Sequence, residues 1–379
     1  MEFKQSNTET MKILANICRL LVALVFLFSG FVKGVDPLGT AYRIEDYFVA
    51  FGTPWAIPFS LFLSIFLCAV EFTLGASLLF NFRLKIMTWP LLLMMTFFTF
   101  LTLNDAIYNP VPDCGCFGDA IKLTNWQTFY KNIVLEALVL VIFLYRNKYR
   151  SMFLPRIDNW GIAIIFIAFS AFSFYQYRHL PWIDFLSWKE GADLVPDNPG
   201  VAKTYLTYRN KATGEQKEYL SPNYPWNDST WTSQWEFVSQ RVDDSGVIKG
   251  HNLKIFDSAG NDYTEMFINN PGYQFLVASY DLDAASRKGF EKIDRLCGEL
   301  AKNGHSMVVL TGSLDPDIQA LKKGLHPEME FYNADDVELK MIVRANPGII
   351  LLKDGVVMGK WNWRDLPDYA ELKEEFPGL

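Results

Sequence analysis

Apolar positions crowd the first 180 residues of this chain, and ordinary alternation takes over in the remainder. Five runs in the front part, roughly 13–32, 57–80, 84–104, 128–146 and 160–177, reach the length of about 20 apolar residues that a bilayer crossing needs. Trp55, Trp89, Trp126, Trp160 and Trp182 stand at the ends of these runs, where a headgroup belt would lie. The first run is too long for a removable leader, and Ser29-Gly30-Phe31-Val32-Lys33 offers no small-residue cleavage pattern. Asp36-Pro37-Leu38-Gly39 reads as a turn, and Thr40 to Phe51 has helical spacing with one aromatic, apolar face. That helix either lies along the membrane surface or caps the bundle.

The pattern then changes period. Val201 to Tyr208 and Gln216 to Leu220 alternate around a turn at Asn210–Gly214, which predicts a hairpin. Trp182, Trp188, Trp226, Trp231 and Trp235 make this stretch aromatic, either as a partner-binding face or as a small core under a long loop. Further on, strands are expected at Leu253–Phe256, Tyr273–Ser279, Ser306–Leu310, Ile349–Leu352 and Val356–Lys360. Helices are expected at Ser286–Lys302, Asp315–Leu325 and Leu366–Phe376. That order predicts helices packed on a central sheet. The chain therefore divides into a membrane unit at 1–150, a fifth spanning helix at 151–180, an aromatic linker and hairpin region at 181–245, and an α/β unit at 246–379.

Charge adds an orientation. With the N-terminus in the cytoplasm, the inner segments carry Lys4, Lys12, Arg83, Lys85, Arg146, Lys148, Arg150 and Arg156, against Lys33, Arg43 and Lys122 on the other side. In a bacterial chain this places the C-terminal unit in the periplasm, beyond a multi-pass inner-membrane bundle. The net charge of −7 and the lack of a basic stripe argue against nucleic acid as a partner. Inside the spans, Arg19, Glu71 and Glu136 need partners. A rise of ~1.5 Å per residue gives them similar depths, so an Arg19–Glu71 pair with Glu136 nearby is expected, serving either cohesion or a proton- or quinone-linked step.

The candidate chemistry sits in Pro112-Asp113-Cys114-Gly115-Cys116-Phe117-Gly118-Asp119. A Cys-Gly-Cys disulfide closes a very small ring, which suits exchange better than stapling. Asp113 and Asp119 would raise a thiol pKa, and Lys122 would lower it. The alternatives are thiol exchange, a static disulfide, or a metal held by Asp113, Cys114, Cys116 and Asp119, a set without histidine or the usual two-residue spacing. Cys18 and Cys68 read as buried packing residues. His179, His251, His305 and His326 are isolated, and no phosphate or hydrolase motif is present.

The stretch Arg19 to Lys33 followed by Asp36-Pro37, with Glu71-Phe-Thr-Leu-Gly75, resembles the DoxX family of bacterial membrane proteins. The Cys114-Gly115-Cys116-Phe117-Gly118 loop resembles the MauE branch. Over residues 12–146 this resemblance implies a four-helix bundle and disulfide formation during maturation of a periplasmic dehydrogenase. The wider architecture is similar to the quinone-coupled thiol oxidases of the DsbB and vitamin K epoxide reductase type, which implies a quinone cofactor. This chain has no second external cysteine pair, so the full relay of those enzymes is not expected.

Residues 247–379 resemble a thioredoxin fold of the TlpA type, through Leu253 to Asp262 and through Asn346-Pro347-Gly-Ile-Ile-Leu-Leu-Lys-Asp-Gly355. The resemblance makes Pro347 the candidate cis-proline. It sets Asp283 and Ser286 where that family has its two cysteines, so the site is degenerate and suited to packing or peptide binding. Cys297 is either a core residue or a resolving thiol for the loop pair. The expected fold is thus an α-helical transmembrane bundle, four helices plus a fifth, followed by an α/β thioredoxin-like domain. The expected function is thiol–disulfide chemistry on a periplasmic protein client. The alternative is a non-catalytic membrane scaffold whose soluble domain binds a partner. Transport is disfavoured by the absence of repeats or broken helices.

Overall fold

The computed structural model describes residues 2–111, 114–151, 153–195, 203–225, 228–243, 251–325 and 327–379. Among them, five helices are long and apolar enough to cross a membrane: Met11–Val35, Pro54–Phe80, Leu84–Tyr108, Asn125–Lys148 and Pro155–Arg178. They belong to α1 (Glu2–Val35), α3 (Ser60–Phe80), α4 (Leu84–Tyr108), α5 (Asn125–Tyr145) and α6 (Pro155–Arg178). The expected helix after the first span is α2 (Pro37–Ala50), with Asp36 as its N-cap accepting from the Gly39 N–H at 2.9 Å. Trp55, Trp89, Trp126, Trp160 and Trp182 are all exposed near span ends.

Glycine sets how closely α1 and α3 approach. A Cβ on Gly30 would lie 2.8 Å from the Phe72 backbone nitrogen, and one on Gly75 would lie 2.8 Å from that of Leu27. Small residues at a crossing let two backbones touch, which is how helices gain contact in lipid. The fifth spanning helix joins the same bundle. Phe169 stacks on Phe72 with ring centroids 4.1 Å apart, and Ser173 Oγ donates to the Gly34 carbonyl at 3.0 Å.

The C-terminal part holds two sheets. The first is a three-stranded antiparallel sheet with order β2-β1-β3, from β1 (Lys203–Asn210), β2 (Gln216–Leu220) and β3 (Trp235–Asp243), with a short helix α7 (Ser229–Gln234) before the last strand. The hairpin was expected; the third strand was not. The half-buried aromatic residues around this sheet pack on one another, with Trp231 set 4.7 Å from Tyr208 and 5.6 Å from Tyr219 between ring centroids. Trp226 lies outside the described residues.

The second sheet has order β6-β5-β4-β7-β8. It comprises β4 (Gln274–Ala278), β5 (Ser306–Thr311), β6 (Glu330–Asn333), β7 (Gly348–Lys353) and β8 (Val356–Asn362). The first three run parallel, and β7 and β8 are antiparallel to their neighbours. One face is covered by α9 (Arg287–Lys302) and α12 (Tyr369–Glu375), through Phe290, Ile293, Leu300 and Leu372. The other is covered by α8 (Thr264–Ile268) and α11 (Asp336–Ile342), through Ile268, Leu339 and Ile342. A sheet covered on both sides needs apolar residues at successive strand positions, and all five residues of β4 are buried. The helix α10 (Asp315–Lys322) follows β5. The expected strand at Leu253–Phe256 is reduced to bridges from Phe256 to Asp262 and Asn333. Trp188 and Leu194, expected in the linker region, are buried in the core beneath α8 and α11.

This sheet unit meets the bundle at two places. Near the end of α6, His179 pairs with Asp365 at 2.7 Å and Asp184 pairs with Lys360. Close to the cysteine loop, Arg344 pairs with Asp36 at 2.8 Å and with Asp119 at 2.6 Å.

Candidate functional site

The loop between α4 and α5 is anchored at both ends before it presents its cysteines. Asn125, the first residue of α5, donates to Asn109 Oδ1 at 2.7 Å and to the Val111 carbonyl at 3.2 Å. Thr124 and Gln127 close a capping box at the same helix start, a feature worth about 1 kcal/mol. Between these anchors Gly115 takes φ +64° and Gly118 φ +52°, left-handed values that glycine adopts without a Cβ penalty. Ser29 Oγ on α1 donates to the Cys116 carbonyl at 2.7 Å, and Phe117 packs on Phe28 with ring centroids 5.7 Å apart. The loop is thereby pressed onto the end of the bundle.

The two sulfurs lie 3.0 Å apart as free thiols, each half-buried. Their surroundings treat them unequally. The hydrogen bond from Cys114 favours the Cys116 thiolate. Burial opposes it, and Lys131 and Lys33 add positive charge, so the Cys116 pKa falls to about 6. Cys114 is pushed well above the usual thiol value by that same hydrogen bond, by burial and by the charge on Cys116. The surroundings therefore favour the thiolate at Cys116 over that at Cys114. Tyr47 of α2 lies on the Cys114 side; its hydroxyl donates to Asp105 Oδ2 at 2.6 Å. Arg43 packs its stem over Gly115, where a Cβ would come within 3.0 Å of Arg43 Cγ.

Beneath the thiols is a cavity of about 250 Å³ lined by α1 to α5 and by the loop itself. Leu, Met and Phe side chains make up much of its wall. Lys33, Arg43, Glu71 and Lys131 supply charge, and Cys114 and Cys116 form part of the lining. Lys33 and Glu71 form a buried ion pair. Phe51 and Phe97, which also line it, are exposed on the bundle surface. The geometry brings two adjacent thiols, nearby lysines and a largely apolar cavity together in one site.

Residues 11–145 match the family of methylamine utilisation protein MauE. The match spans the first four spanning helices with the cysteine loop between the last two, and stops before α6. This segment is a MauE-family domain of a multi-pass membrane protein. No curated protein and no solved structure matches the chain.

The expected Arg19–Glu71 pair is not formed. Arg19 instead donates to the carbonyls of Leu78 and Leu79 and to Asn81 Oδ1, at the end of α3 where helix carbonyls lack intrahelical partners. Glu71 takes Lys33 as its partner, and Glu136 accepts from Thr96 Oγ1 at 2.8 Å. Of the charges weighed around the thiols, Asp119 is bound to Arg344, Lys122 is mostly exposed, and Asp113 lies outside the described residues. The cations that act on Cys116, Lys33 and Lys131, were not singled out as its partners. They sit at the end of α1 and within α5, and only the fold brings them to the loop.

In the sheet unit, Ser286 caps α9, accepting from the Gly289 N–H at 3.2 Å, and its own N–H donates to the Asn346 carbonyl at 3.3 Å. Pro347 follows a cis peptide and comes close to Gly289, so Ser286 and Pro347 are neighbours. Asp283 is exposed on the same loop. Cys297 is buried among Phe275, Phe290 and Leu300, where burial raises its pKa to about 11; it is a core residue and no resolving thiol for the loop.

Proposed function

We propose that this protein is a membrane thiol–disulfide component in which Cys114 and Cys116 exchange electrons with a protein client. The carrying observation is the pair of sulfurs of Cys114 and Cys116, 3.0 Å apart and lining a largely apolar cavity, in surroundings that favour the thiolate at Cys116. In the oxidising direction, two thiols close to a disulfide and release two electrons and two protons. The Leu, Met and Phe walls and the two lysines fit a lipid-soluble quinone, which would take up those electrons and protons as the quinol. Phe51 and Phe97 then line its route from the bilayer. Client thiolate attack on the disulfide would expel Cys116, the better leaving group of the two because its thiolate is the more stable.

The basic-residue asymmetry supports a topology with a cytoplasmic N-terminus and with the loop and sheet unit outside the cytoplasm. The sheet order, with helices on both faces and Ser286 beside Pro347, supports a thioredoxin-like fold whose cysteine positions are Asp283 and Ser286. A thioredoxin-like unit whose only cysteine, Cys297, is buried in its core binds rather than exchanges, so its part is to hold the client near the loop. The family's description links it to methylamine utilisation, which fits maturation of an exported, disulfide-bearing enzyme.

Trapping tests this reading. In membranes of cells expressing Cys114→Ser or Cys116→Ser, a mixed disulfide with a client is expected from at least one variant and from neither after reduction. If neither variant captures a protein and the double variant keeps full function, the exchange reading is wrong and the scaffold reading stands.

A further inference from the structure

We propose that Arg344 of the sheet unit is a positioning residue for the thiol pair: through one guanidinium it holds the cysteine loop and the α1–α2 corner together, so that loop reactivity depends on docking of the sheet unit. This rests on the exchange reading given above.

The geometry is specific. The Arg344 side chain is 3% exposed and spans two carboxylates that belong to different parts of the bundle. Asp36 is the N-cap of α2, and Asp119 lies three residues beyond Cys116 on the loop. A third guanidinium contact goes to the Lys340 carbonyl on its own domain. Gly39 completes the socket, since a Cβ there would lie 2.9 Å from Arg344 Nη2 and 2.5 Å from Asp36 Oδ2. Tyr42 of α2 stands beneath the guanidinium at 5.5 Å and meets Tyr280 edge-on at 6.1 Å. A planar fork reaching two carboxylates is a task for arginine that lysine performs only in part. Arg344 is also two residues before Asn346, whose side chain bridges Ser279 and the Asp281 carbonyl. The residue that docks the unit thus belongs to the segment that shapes the Ser286–Pro347 region.

The groups facing the thiols come from every neighbouring element. They are Lys33 on α1, paired with Glu71 on α3; Arg43 and Tyr47 on α2; Asp105 on α4; and Lys131 on α5. A loop freed from Arg344 would lose its register against these groups and return Cys116 toward an ordinary thiol.

The test is residue-resolved alkylation of full-length protein in nanodiscs, with isotope-coded iodoacetamide read by mass spectrometry across pH. Asp119→Asn is the decisive variant because two explanations predict opposite signs. Direct electrostatics says that removing a carboxylate near a thiolate lowers the Cys116 midpoint. Positioning says that losing the Arg344 tether raises it, by about one unit, which is roughly a tenfold drop in thiolate well below the midpoint. Arg344→Gln should match that rise, and Arg344→Lys should recover part of it. A lowered or unchanged midpoint in Asp119→Asn overturns the proposal, whether or not the Arg344 variants assemble. A wild-type Cys116 with an ordinary thiol midpoint would instead count against the exchange reading itself.

Discussion

Breaking the Lys33–Glu71 pair separates what stabilises this bundle from what activates its thiols. Both side chains are nearly buried, at 12% and 10% exposure, beneath the cysteine loop. Glu71→Gln leaves the Lys33 ammonium without its counter-charge in a desolvated place. Removing one partner of such a pair costs about 3–5 kcal/mol, whereas replacing both by apolar residues of similar volume is often neutral. At 1.4 kcal/mol per tenfold, the single substitution lowers the folded-to-unfolded ratio by roughly 10² to nearly 10⁴. The double variant Lys33→Met/Glu71→Leu should return to within about 1 kcal/mol of the wild type. Its chemistry should not return, because Lys33 is also one of the two cations that favour the Cys116 thiolate. Reversible unfolding in bicelles measures the first quantity, and the pH profile of Cys116 alkylation measures the second. The reasoning fails if Glu71→Gln unfolds within about 0.5 kcal/mol of wild type, as an exposed pair would. It also fails if the stable double variant keeps an unshifted Cys116 midpoint.

Other consequences follow from the same geometry. Lys131→Gln should raise the alkylation midpoint of Cys116 from about 6, by roughly one unit, without moving that of the buried Cys297. Because the folded Cys116 pKa is lowered, its contribution to stability is present above the unfolded thiol value of about 8.5 and is lost as pH falls through about 6. Reduced wild type should therefore lose more stability than Cys116→Ser across that window, as followed by thermal unfolding; parallel curves would contradict it. Gly75→Ala places a methyl 2.8 Å from the Leu27 backbone nitrogen and should cost about 1–3 kcal/mol by forcing α1 from α3. An alanine variant as stable as wild type would show that the helices do not touch there.

Much of the membrane half was legible because a run of about 20 apolar residues has few other uses. The observed helices extend beyond those runs by several residues, since polar ends continue a helix without adding apolar character. Strands were harder. The strand Trp235–Asp243 carries Glu236, Gln240, Arg241 and Asp243 on a sheet edge, so no apolar alternation announces it. The strand Glu330–Asn333 is four residues long and, apart from its exposed first residue, half-buried, which leaves little pattern. Leu253–Phe256 had the pattern, yet among the described residues only Phe256 forms bridges to other strands or turns, while Ile255 bonds locally to Tyr263 and Thr264.

The cysteine pair was plain in the sequence, but its electrostatic setting was not. Depth counted from the inner face matched Arg19 with Glu71. The contact of α1 and α3 decides otherwise, because Gly30 opposite Phe72 and Gly75 opposite Leu27 fix an antiparallel register. In that register Lys33 falls near Glu71, and Arg19 falls at the end of α3. Two glycines, one on each helix and each set against the other helix's backbone, were the available signal. Arg344 left no such trace, since its carboxylate partners are more than two hundred residues away in the chain.

The most direct test is a redox titration of Cys114 and Cys116 in native membranes, quenched with a mass-shifting thiol reagent. A stabilised thiolate makes a disulfide more oxidising, so the pair should open and close reversibly as a two-electron couple above roughly −300 mV. A bond that stays closed in strong reductant while the protein is folded, or thiols that never pair under mild oxidant, would contradict the account.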